Sequence, residues 1–145
     1  RESLARLQRP GAGPRIADLR ARLQQAMMAK VGIYRTGEAM REAVAEIQAL
    51  RALYQDVRCA DRSRAFNTSL LAVIELGNLL DNALITAVCA ENRTESRGAH
   101  SREDFPLRKD EVWLKHTLAR LEGDAVTISY KPVDVSRWEP KPRTY

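Results

Sequence analysis

The sequence predicts a mainly α-helical domain, in which three long helices are followed by a small β-hairpin and an extended C-terminal tail. Two observations lead to this fold class. Between residues 16 and 93, apolar side chains recur every three or four positions in three successive stretches, which is the period of an α-helix. Beyond residue 113, strand-length segments rich in β-branched residues surround a Gly-containing turn, which is typical of a hairpin.

The composition is that of a soluble globular domain. The chain has 145 residues, of which 44% are hydrophobic and 30% charged, and this suffices for one domain with its own core. No apolar run approaches the roughly 20 residues of a membrane span, so we do not expect an integral membrane protein. The chain begins at Arg1 without a signal-like segment, and we expect it to be a fragment of a longer protein.

The charge distribution argues against nucleic-acid binding, and the cysteine content argues against a zinc or redox site. The net charge of +5 is scattered along the chain, which favours solvated helix faces over a nucleic-acid surface. Cys59 and Cys89 lack the CxxC or Cys/His spacing of zinc and redox sites. We therefore expect two free thiols in a reducing compartment, packed as small apolar side chains.

Residues 1–15 are expected to form a linker and a loop, because Pro10-Gly11-Ala12-Gly13-Pro14 cannot continue a helix. The first long helix begins at Ile16 and ends at the turn 35–37. Its predicted buried stripe consists of Leu19, Leu23, Ala26, Met27, Val31 and Tyr34.

Two further helices follow. The second is predicted from about residue 39 to residue 58, after Thr36 and with Glu38 in its first turn. The third runs from Ser69 to about Arg93, with Asn67 or Thr68 as its N-cap. It is apolar on more than one side, so we expect part of it to pack against a surface that is absent from this chain.

Beyond the third helix the pattern changes. Gly98 is predicted to be the C′ residue that ends the helix, and residues 107–113 are expected to be charged and loop-like. The two strands of the hairpin are predicted over 113–121 and 125–130. From Lys131 onward, three prolines indicate an extended tail.

The segment from Glu95 to Pro106, which we call the charged loop, has the highest density of ionisable groups in the chain. From the residues alone it is an acid/base site, an anion site, a latch held by charge-assisted hydrogen bonds, or a solvated loop after a helix. Ser96 and Ser101 flank His100, but no GxSxG context for a nucleophile accompanies them. His116 stands without metal-ligand spacing, and we expect it to pack or hydrogen-bond within the hairpin.

Several motifs of this sequence resemble one family. They are Glu95-Ser-Arg-Gly-Ala-His-Ser-Arg-Glu-Asp-Phe-Pro106, Asp110-Glu-Val-Trp-Leu-Lys-His-Thr117, Val126-Thr-Ile-Ser-Tyr-Lys-Pro132 and Pro142-Arg-Thr-Tyr145. Upstream, Val31-Gly-Ile-Tyr-Arg-Thr-Gly-Glu-Ala-Met40 and Phe66-Asn-Thr68 agree as well. Together they resemble the C-terminal domain of the flavoprotein subunit of succinate dehydrogenase and fumarate reductase, over residues 16–145.

The resemblance implies that residues 16–98 form an up-down-up bundle like a spectrin repeat, and that residues 99–145 form the charged loop, the hairpin and the tail of the same domain. It also implies that the parent subunit uses FAD to oxidise succinate to fumarate and passes electrons to an iron–sulfur subunit and quinone. The family's flavin-linked histidine and dicarboxylate-binding residues do not occur in this chain. We therefore expect no catalytic, cofactor-binding or metal-binding residue here.

The same resemblance gives the charged loop a role. We expect Glu95, Arg97, His100, Arg102 and Asp104 to act as an inter-domain latch, through ion pairs between domains or within the loop. The expected partners are the FAD-binding and capping domains of the parent chain and the iron–sulfur subunit, without nucleic acid. The expected location is the cytoplasmic side of the bacterial inner membrane, reached only through other subunits, and the isolated chain is expected to self-associate through its exposed apolar area.

Alternatives remain at this point. The parent enzyme can be a fumarate reductase, since the sequence does not set the direction of the reaction. Glu95-Ser-Arg-Gly98 alone also fits L-aspartate oxidase, although the motifs around Trp113 and Tyr145 argue against it. A different class is a freestanding helical adaptor that binds acidic partners or nucleic acid, and a steep loss of binding with salt would mark it.

Overall fold

The computed structural model describes residues 2–7, 12–63 and 65–141. Residues 1 and 8–11 of the predicted linker and the last four residues of the predicted tail lie outside this range. Within these residues the helices are α1 (Glu2–Leu7), α2 (Ile16–Lys30), α3 (Gly37–Tyr54), α4 (Thr68–Asn92) and α5 (Asp110–Trp113). The strands in the same ranges are β1 (Tyr34–Arg35), β2 (Ser101–Arg102), β3 (Lys115–Glu122) and β4 (Ala125–Pro132).

The core lies where α2, α3 and α4 pack on one another. α3 contributes Met40, Ala43, Ile47 and Leu50, all completely buried and spaced by three or four residues. α4 faces them with a row of buried residues at the same spacing, and α2 covers the pair. The prediction of a mainly helical fold with three packed helices, a hairpin and an extended tail is confirmed.

Side-chain caps define where α3 and α4 begin. The Thr36 hydroxyl accepts a hydrogen bond from Ala39 N (3.2 Å), and the Asn67 amide oxygen accepts one from Leu70 N (2.7 Å). Each cap satisfies one of the backbone N–H groups that the first turn of a helix leaves without an intrahelical partner. Asn67 is thus the N-cap of α4. The sequence had offered Asn67 or Thr68 for this position.

α4 is only partly covered by the bundle. Among the described residues it is the one helix long and apolar enough, by length and composition, to cross a membrane, and core helices of soluble proteins pass the same test. One row of its side chains packs against α2 and α3, whereas Leu71 is 55% exposed and Leu79 43% exposed. This helix therefore presents apolar surface on the side away from the bundle.

The hairpin is antiparallel, with Glu122 opposite Ala125 at the turn and Lys115 opposite Pro132 at the open end. Gly123 in the turn has a φ of +62°, which favours glycine. The turn is held against the bundle by Arg51 of α3.

The Arg51 guanidinium donates to Asp81 of α4 (2.9 Å), to Asp124 (2.6 Å) and to Gly123 O (3.1 Å). Its side chain is only 15% exposed. One partly buried arginine thus joins α3, α4 and the hairpin turn.

Four local features differ from the predictions. Residues 2–7 form a helix within the segment expected to be linker and loop, because Leu7 packs into the core at 2% exposure. Tyr34 belongs to strand β1 and is exposed, instead of lying on the buried stripe of the first helix. Residues 110–113 form the short helix α5, where the charge content suggested a loop.

The fourth difference concerns Gly98. α4 already ends at Asn92, so Gly98 is not its C′ residue. Its φ of +60° serves instead a tight turn inside the charged loop, where Arg97 and His100 form an antiparallel bridge. The prediction recognised the left-handed conformation but assigned it to the wrong turn.

Gly77 of α4 gives a first testable prediction. A Cβ atom there would lie 2.6 Å from the Tyr54 hydroxyl and 2.9 Å from Cζ, and the hydroxyl is held by a hydrogen bond to Val73 O (3.0 Å). Gly77→Ala gains about 1 kcal/mol of helix propensity but overpacks this contact by about 1–3 kcal/mol. We expect a net loss of about 1 kcal/mol in the free energy of unfolding, measured by urea denaturation.

The matched control is the same substitution in a Tyr54→Ala background. With the ring removed, Gly77→Ala should raise the free energy of unfolding, since only the helix-propensity gain remains. A loss of stability in both backgrounds would contradict the role assigned to Tyr54.

Candidate functional site

The charged loop folds back onto the turn that joins α2 to α3. β1 and β2 pair in parallel, with Ser101 N donating to Ile33 O (3.2 Å) and Glu103 N donating to Arg35 O (3.0 Å). This pairing brings residues that are far apart in the sequence to one end of the bundle. The site is built around it.

Inside the loop, hydrogen bonds fix the backbone. The Ser96 hydroxyl accepts from Arg102 N (2.8 Å), and backbone bonds between Arg97 and His100 (2.9 and 3.1 Å) close the turn at Gly98. Because these bonds satisfy the backbone locally, the charged side chains are free to bind other elements.

Glu95 is the buried centre of the site, with 0% exposure. Its carboxylate accepts two hydrogen bonds from Arg97 (2.7 and 2.9 Å), one from Arg93 (2.5 Å) and one from Lys109 N (2.9 Å). Burial alone would raise the pKa of Glu95, but the bonds from Arg97, Lys109 N and Arg93 outweigh it and lower the pKa. Glu95 is therefore held as a carboxylate and is closed to solvent.

Arg93 connects this centre to the hairpin. Its guanidinium donates to Trp113 O (3.0 Å), to Lys115 O (2.7 Å) and to the Thr117 hydroxyl (3.3 Å), and lies 5.0 Å from the centre of the Trp113 ring. Arg97 extends the network to Asp110 of α5 (2.6 Å). Arg93 and Arg97, which both bind the Glu95 carboxylate, thus connect it to the start of the hairpin and to α5.

Arg102 forms a second centre, at the C-terminal end of α4. It is 2% exposed, and one of its NH groups lies within hydrogen-bond distance of three carbonyl oxygens: Ala90 (3.4 Å), Glu91 (2.9 Å) and Arg93 (3.0 Å). The last carbonyl groups of a helix have no intrahelical partner and carry a partial negative charge. The Arg102 guanidinium supplies both the hydrogen bonds and the positive charge that they need.

Asp104 links this helix end to the start of α3. Its carboxylate accepts two hydrogen bonds from Arg102 (2.7 and 2.8 Å) and one from Gly37 N (2.9 Å). A Cβ at Gly37 would lie 3.0 Å from the Arg102 guanidinium, so glycine leaves room for the pair. The hydrogen bonds from Arg102 hold the pKa of Asp104 well below its usual range.

His100 lies between the two centres. Its Nε2 is 3.0 Å from Arg93 O, which only accepts, so Nε2 carries the proton and Nδ1 accepts from Arg35 at 3.2 Å. Burial lowers the pKa of His100, and the nearby guanidinium groups of Arg35, Arg102 and Arg93 lower it further, against the bond to Arg93 O. The imidazole is therefore neutral in the folded protein.

The five residues of the expected latch all lie in this network. Glu95 and Arg97 belong to one centre, Arg102 and Asp104 to the other, and His100 bonds the backbone between them. Their carboxylates and guanidinium groups already hold one another. The arrangement suits the joining of segments and leaves neither carboxylate placed for proton transfer to a ligand.

Three further residues contribute that the sequence did not single out. Arg93, Arg35 and Asp110 act through bonds to backbone or to residues far along the chain. Arg35 and Asp110 lie inside the family's motifs, and Arg93 lies two residues before the charged loop. The expectation for His116 is wrong: its side chain is exposed and has no hydrogen bond within the described part of the chain. No group of three or more metal-ligating side chains gathers among residues 2–7, 12–63 and 65–141.

The comparison with known families agrees with the motifs. A family model described as "Fumarate reductase flavoprotein C-term" matches residues 20–145. The chain belongs to this family. The family resemblance stated from the sequence is confirmed.

Relatives bear both names of the family. The fumarate reductase flavoprotein subunit of Mycobacterium tuberculosis is 45% identical over 134 residues, which are 92% of this chain and 23% of that protein. The succinate dehydrogenase flavoprotein subunit of Rickettsia conorii is 43% identical over 122 residues, which are 83% of this chain and 20% of that protein.

Solved structures share the fold. The FrdA chain of a quinol fumarate reductase variant from E. coli superposes with a TM-score of 0.93 at 37% identity, over 99% of this chain and 25% of that chain. Adenylylsulfate reductase from Archaeoglobus fulgidus, at 19% identity and a TM-score of 0.75, shares the fold alone. The chain spans a quarter or less of the length of the flavoprotein subunits that it matches.

Removing the charge of Glu95 tests the first centre. Glu95→Gln leaves Arg93 and Arg97 without their shared anion in a buried site, and we expect a loss of about 3 kcal/mol in the free energy of unfolding. Asp110→Asn is the matched control, since its side chain is 32% exposed, solvent screens its ion pairs, and the loss of stability should be much smaller. Chemical denaturation measures both, and equal effects would contradict the central place of Glu95.

Acidification should destabilise the protein in two steps. The pKa of His100 is lowered on folding, so below about pH 6.5 the unfolded chain binds a proton that the folded protein does not, and stability falls. Glu95 and Asp104 also have lowered pKa values, so their contribution is complete above about pH 4 and is lost as the pH falls further. The free energy of unfolding, measured by urea denaturation across this pH range, reports both steps.

His100→Gln separates the two steps. Glutamine keeps a donor and an acceptor but does not titrate, so the variant should lose the step near neutral pH and keep the acid step. A first step that persists in His100→Gln would show that another group is responsible.

Proposed function

We propose that this chain is the C-terminal structural and docking domain of a succinate dehydrogenase flavoprotein subunit. In this proposal the parent subunit carries FAD, oxidises succinate to fumarate, and passes electrons to an iron–sulfur subunit and quinone. The domain itself binds no flavin and turns over no substrate. Its task is to hold a rigid surface against the FAD-binding and capping domains of the parent chain.

One observation carries the proposal. The charged loop, which bears the family's motif, uses its ionisable groups to tie α3, α4 and α5 together. Its Glu95 also holds Arg93, which binds the start of the hairpin. Groups that are already paired with one another are suited to rigidity rather than to catalysis. Apolar side chains remain exposed outside this network, among them Leu71 and Leu79 on α4 and Ile33 at 59% beside β1. Such surface is what a domain that packs on a larger body presents.

The inter-domain part of the latch belongs to this proposal. We place it at the outer edge of the charged loop, where Glu103 and Pro106 are exposed, while the inner edge is engaged with the bundle. The location at the cytoplasmic side of the inner membrane, through partner subunits, and self-association of the isolated chain through its exposed apolar area follow from the same proposal.

The second candidate is a fumarate reductase, with the same domain in the same place. Relatives with the two names match at 45% and 43% identity, so identity favours neither direction. Assays of the purified complex with succinate and an oxidant, and with fumarate and a reductant, separate the two candidates by the ratio of their rates.

A two-piece experiment tests the docking role. The parent subunit is expressed as two polypeptides, this chain and everything that precedes it in the source gene, with an affinity tag on this chain. We expect the chain alone to be colourless and inactive, and the pair to co-purify with flavin absorbance. Glu95→Gln, which loosens the loop, should reduce co-purification, whereas Arg120→Glu at an exposed position of β3 should not.

Three outcomes would count against the proposal. A flavin spectrum in the chain alone would contradict the absence of cofactor binding. Separation of the two pieces would contradict docking. A preceding sequence without a dinucleotide-binding GxGxxG segment would contradict the parent enzyme.

A further inference from the structure

A groove of about 580 Å³ opens between the end of α4, the charged loop and the start of the hairpin, and we call it the hairpin groove. Ala90, Leu114 and Val133 contribute apolar surface, and Trp113 lies beside them. Neither Asp nor Glu lines it among the described residues. The groove is open to solvent along one side.

The basic side chains around the groove are not equivalent. Arg93 and Arg97 are both paired with the buried Glu95 carboxylate, and Arg97 is paired with Asp110 as well. The Lys115 ammonium stacks on the rings of Trp113 (4.8 Å) and Tyr130 (3.9 Å) and has no carboxylate partner within the described ranges. The groove therefore keeps an unneutralised cation above an apolar floor.

His116 adds a second basic group beside Lys115. It lines the same groove, is exposed, and has no hydrogen-bond partner among the described side chains. A ligand that satisfies all of these features carries a carboxylate next to an apolar side chain. A small free anion fits less well, because tight anion sites use convergent guanidinium donors and here both arginines are already paired.

We infer that the hairpin groove receives an acidic segment of the parent subunit, with an apolar side chain against Trp113 and Leu114 and a carboxylate against Lys115 and His116. This inference rests on the proposed function. Two observations favour this occupant: the charge of the groove is complementary to it, and three quarters or more of each matched flavoprotein lies outside the region of this chain. An apolar centre with a charged rim is also the usual composition of a protein interface.

Cys89 is a native probe of the groove. Its thiol lines the groove and is partly exposed, whereas Cys59 is 4% exposed in the core. The labelling rate with N-ethylmaleimide is measured for both thiols in this chain alone and in the full parent subunit. Mildly alkaline pH is used, because burial raises the pKa of the Cys89 thiol.

We expect Cys89 to react about tenfold or more slowly in the full subunit than in the isolated chain, because an occluded thiol reacts only when the segment opens. Cys59 should react slowly in both and reports any general unfolding. Equal Cys89 rates in the two forms would overturn the inference. If the two polypeptides of the docking experiment still co-purify in that case, the proposed function survives and only the hairpin groove is misassigned.

Charge variants test the occupant. In the full subunit, His116→Glu places a carboxylate at the rim and should restore most of the lost Cys89 rate, about tenfold, by repelling the acidic segment. Lys115→Gln should act in the same direction. Arg120→Glu on the same strand, outside the groove, is the matched control and should leave the rate unchanged.

Two results would assign the groove differently. If both groove variants keep the full protection of Cys89, the occupant is not acidic and the inference fails. If millimolar phosphate or succinate protects Cys89 in the isolated chain, the groove is a site for a free anion, and the inference fails as well.

Discussion

The end of α4 imposes the constraint on which the rest of the structure depends. This helix is the central element of the bundle, and its last carbonyl groups face the interior instead of solvent. Such groups require donors. Arg93 N donates to Cys89 O, but the chain is extended at Arg93, and the carbonyl groups that follow Cys89 take their donor from Arg102. Arg102 meets the requirement from nine residues further on. Satisfying that helix end requires the charged loop to fold back at this position.

Once Arg102 is placed, its positive charge has to be balanced within a buried site. The Asp104 carboxylate balances the charge of Arg102. It also accepts a hydrogen bond from Gly37 N at the start of α3. Positive charge at a helix C-terminus and negative charge at a helix N-terminus both favour the helix dipoles, so one ion pair stabilises two helices. The buried Glu95 carboxylate likewise pairs with the guanidinium groups of Arg93 and Arg97. The density of ionisable residues follows from these structural requirements.

Features that depend on neighbouring residues in the sequence could be predicted. Contacts between segments that are far apart in the sequence could not. Apolar periodicity located the three helices, the choice of N-cap for α4 included Asn67, and β-branched residues located the hairpin. The pairing of Tyr34 with Ser101 left no signal, because a two-residue strand has too little pattern to read. Arg93 and His116 show the same limit, since the sequence does not reveal whether a basic side chain points to backbone carbonyls or to solvent.

Two hydrogen bonds between distant segments limit the order in which the chain can fold. The bond between Gly37 and Asp104 joins residues 67 apart, and that between Arg51 and Asp124 joins residues 73 apart. Local helices form in about a microsecond, whereas such long loops must close before their contacts are gained. During synthesis, α2 and α3 leave the ribosome well before their partners exist. Until the charged loop has emerged, the last carbonyl groups of α4 lack the donors that Arg102 supplies, and neither long-range bond can form.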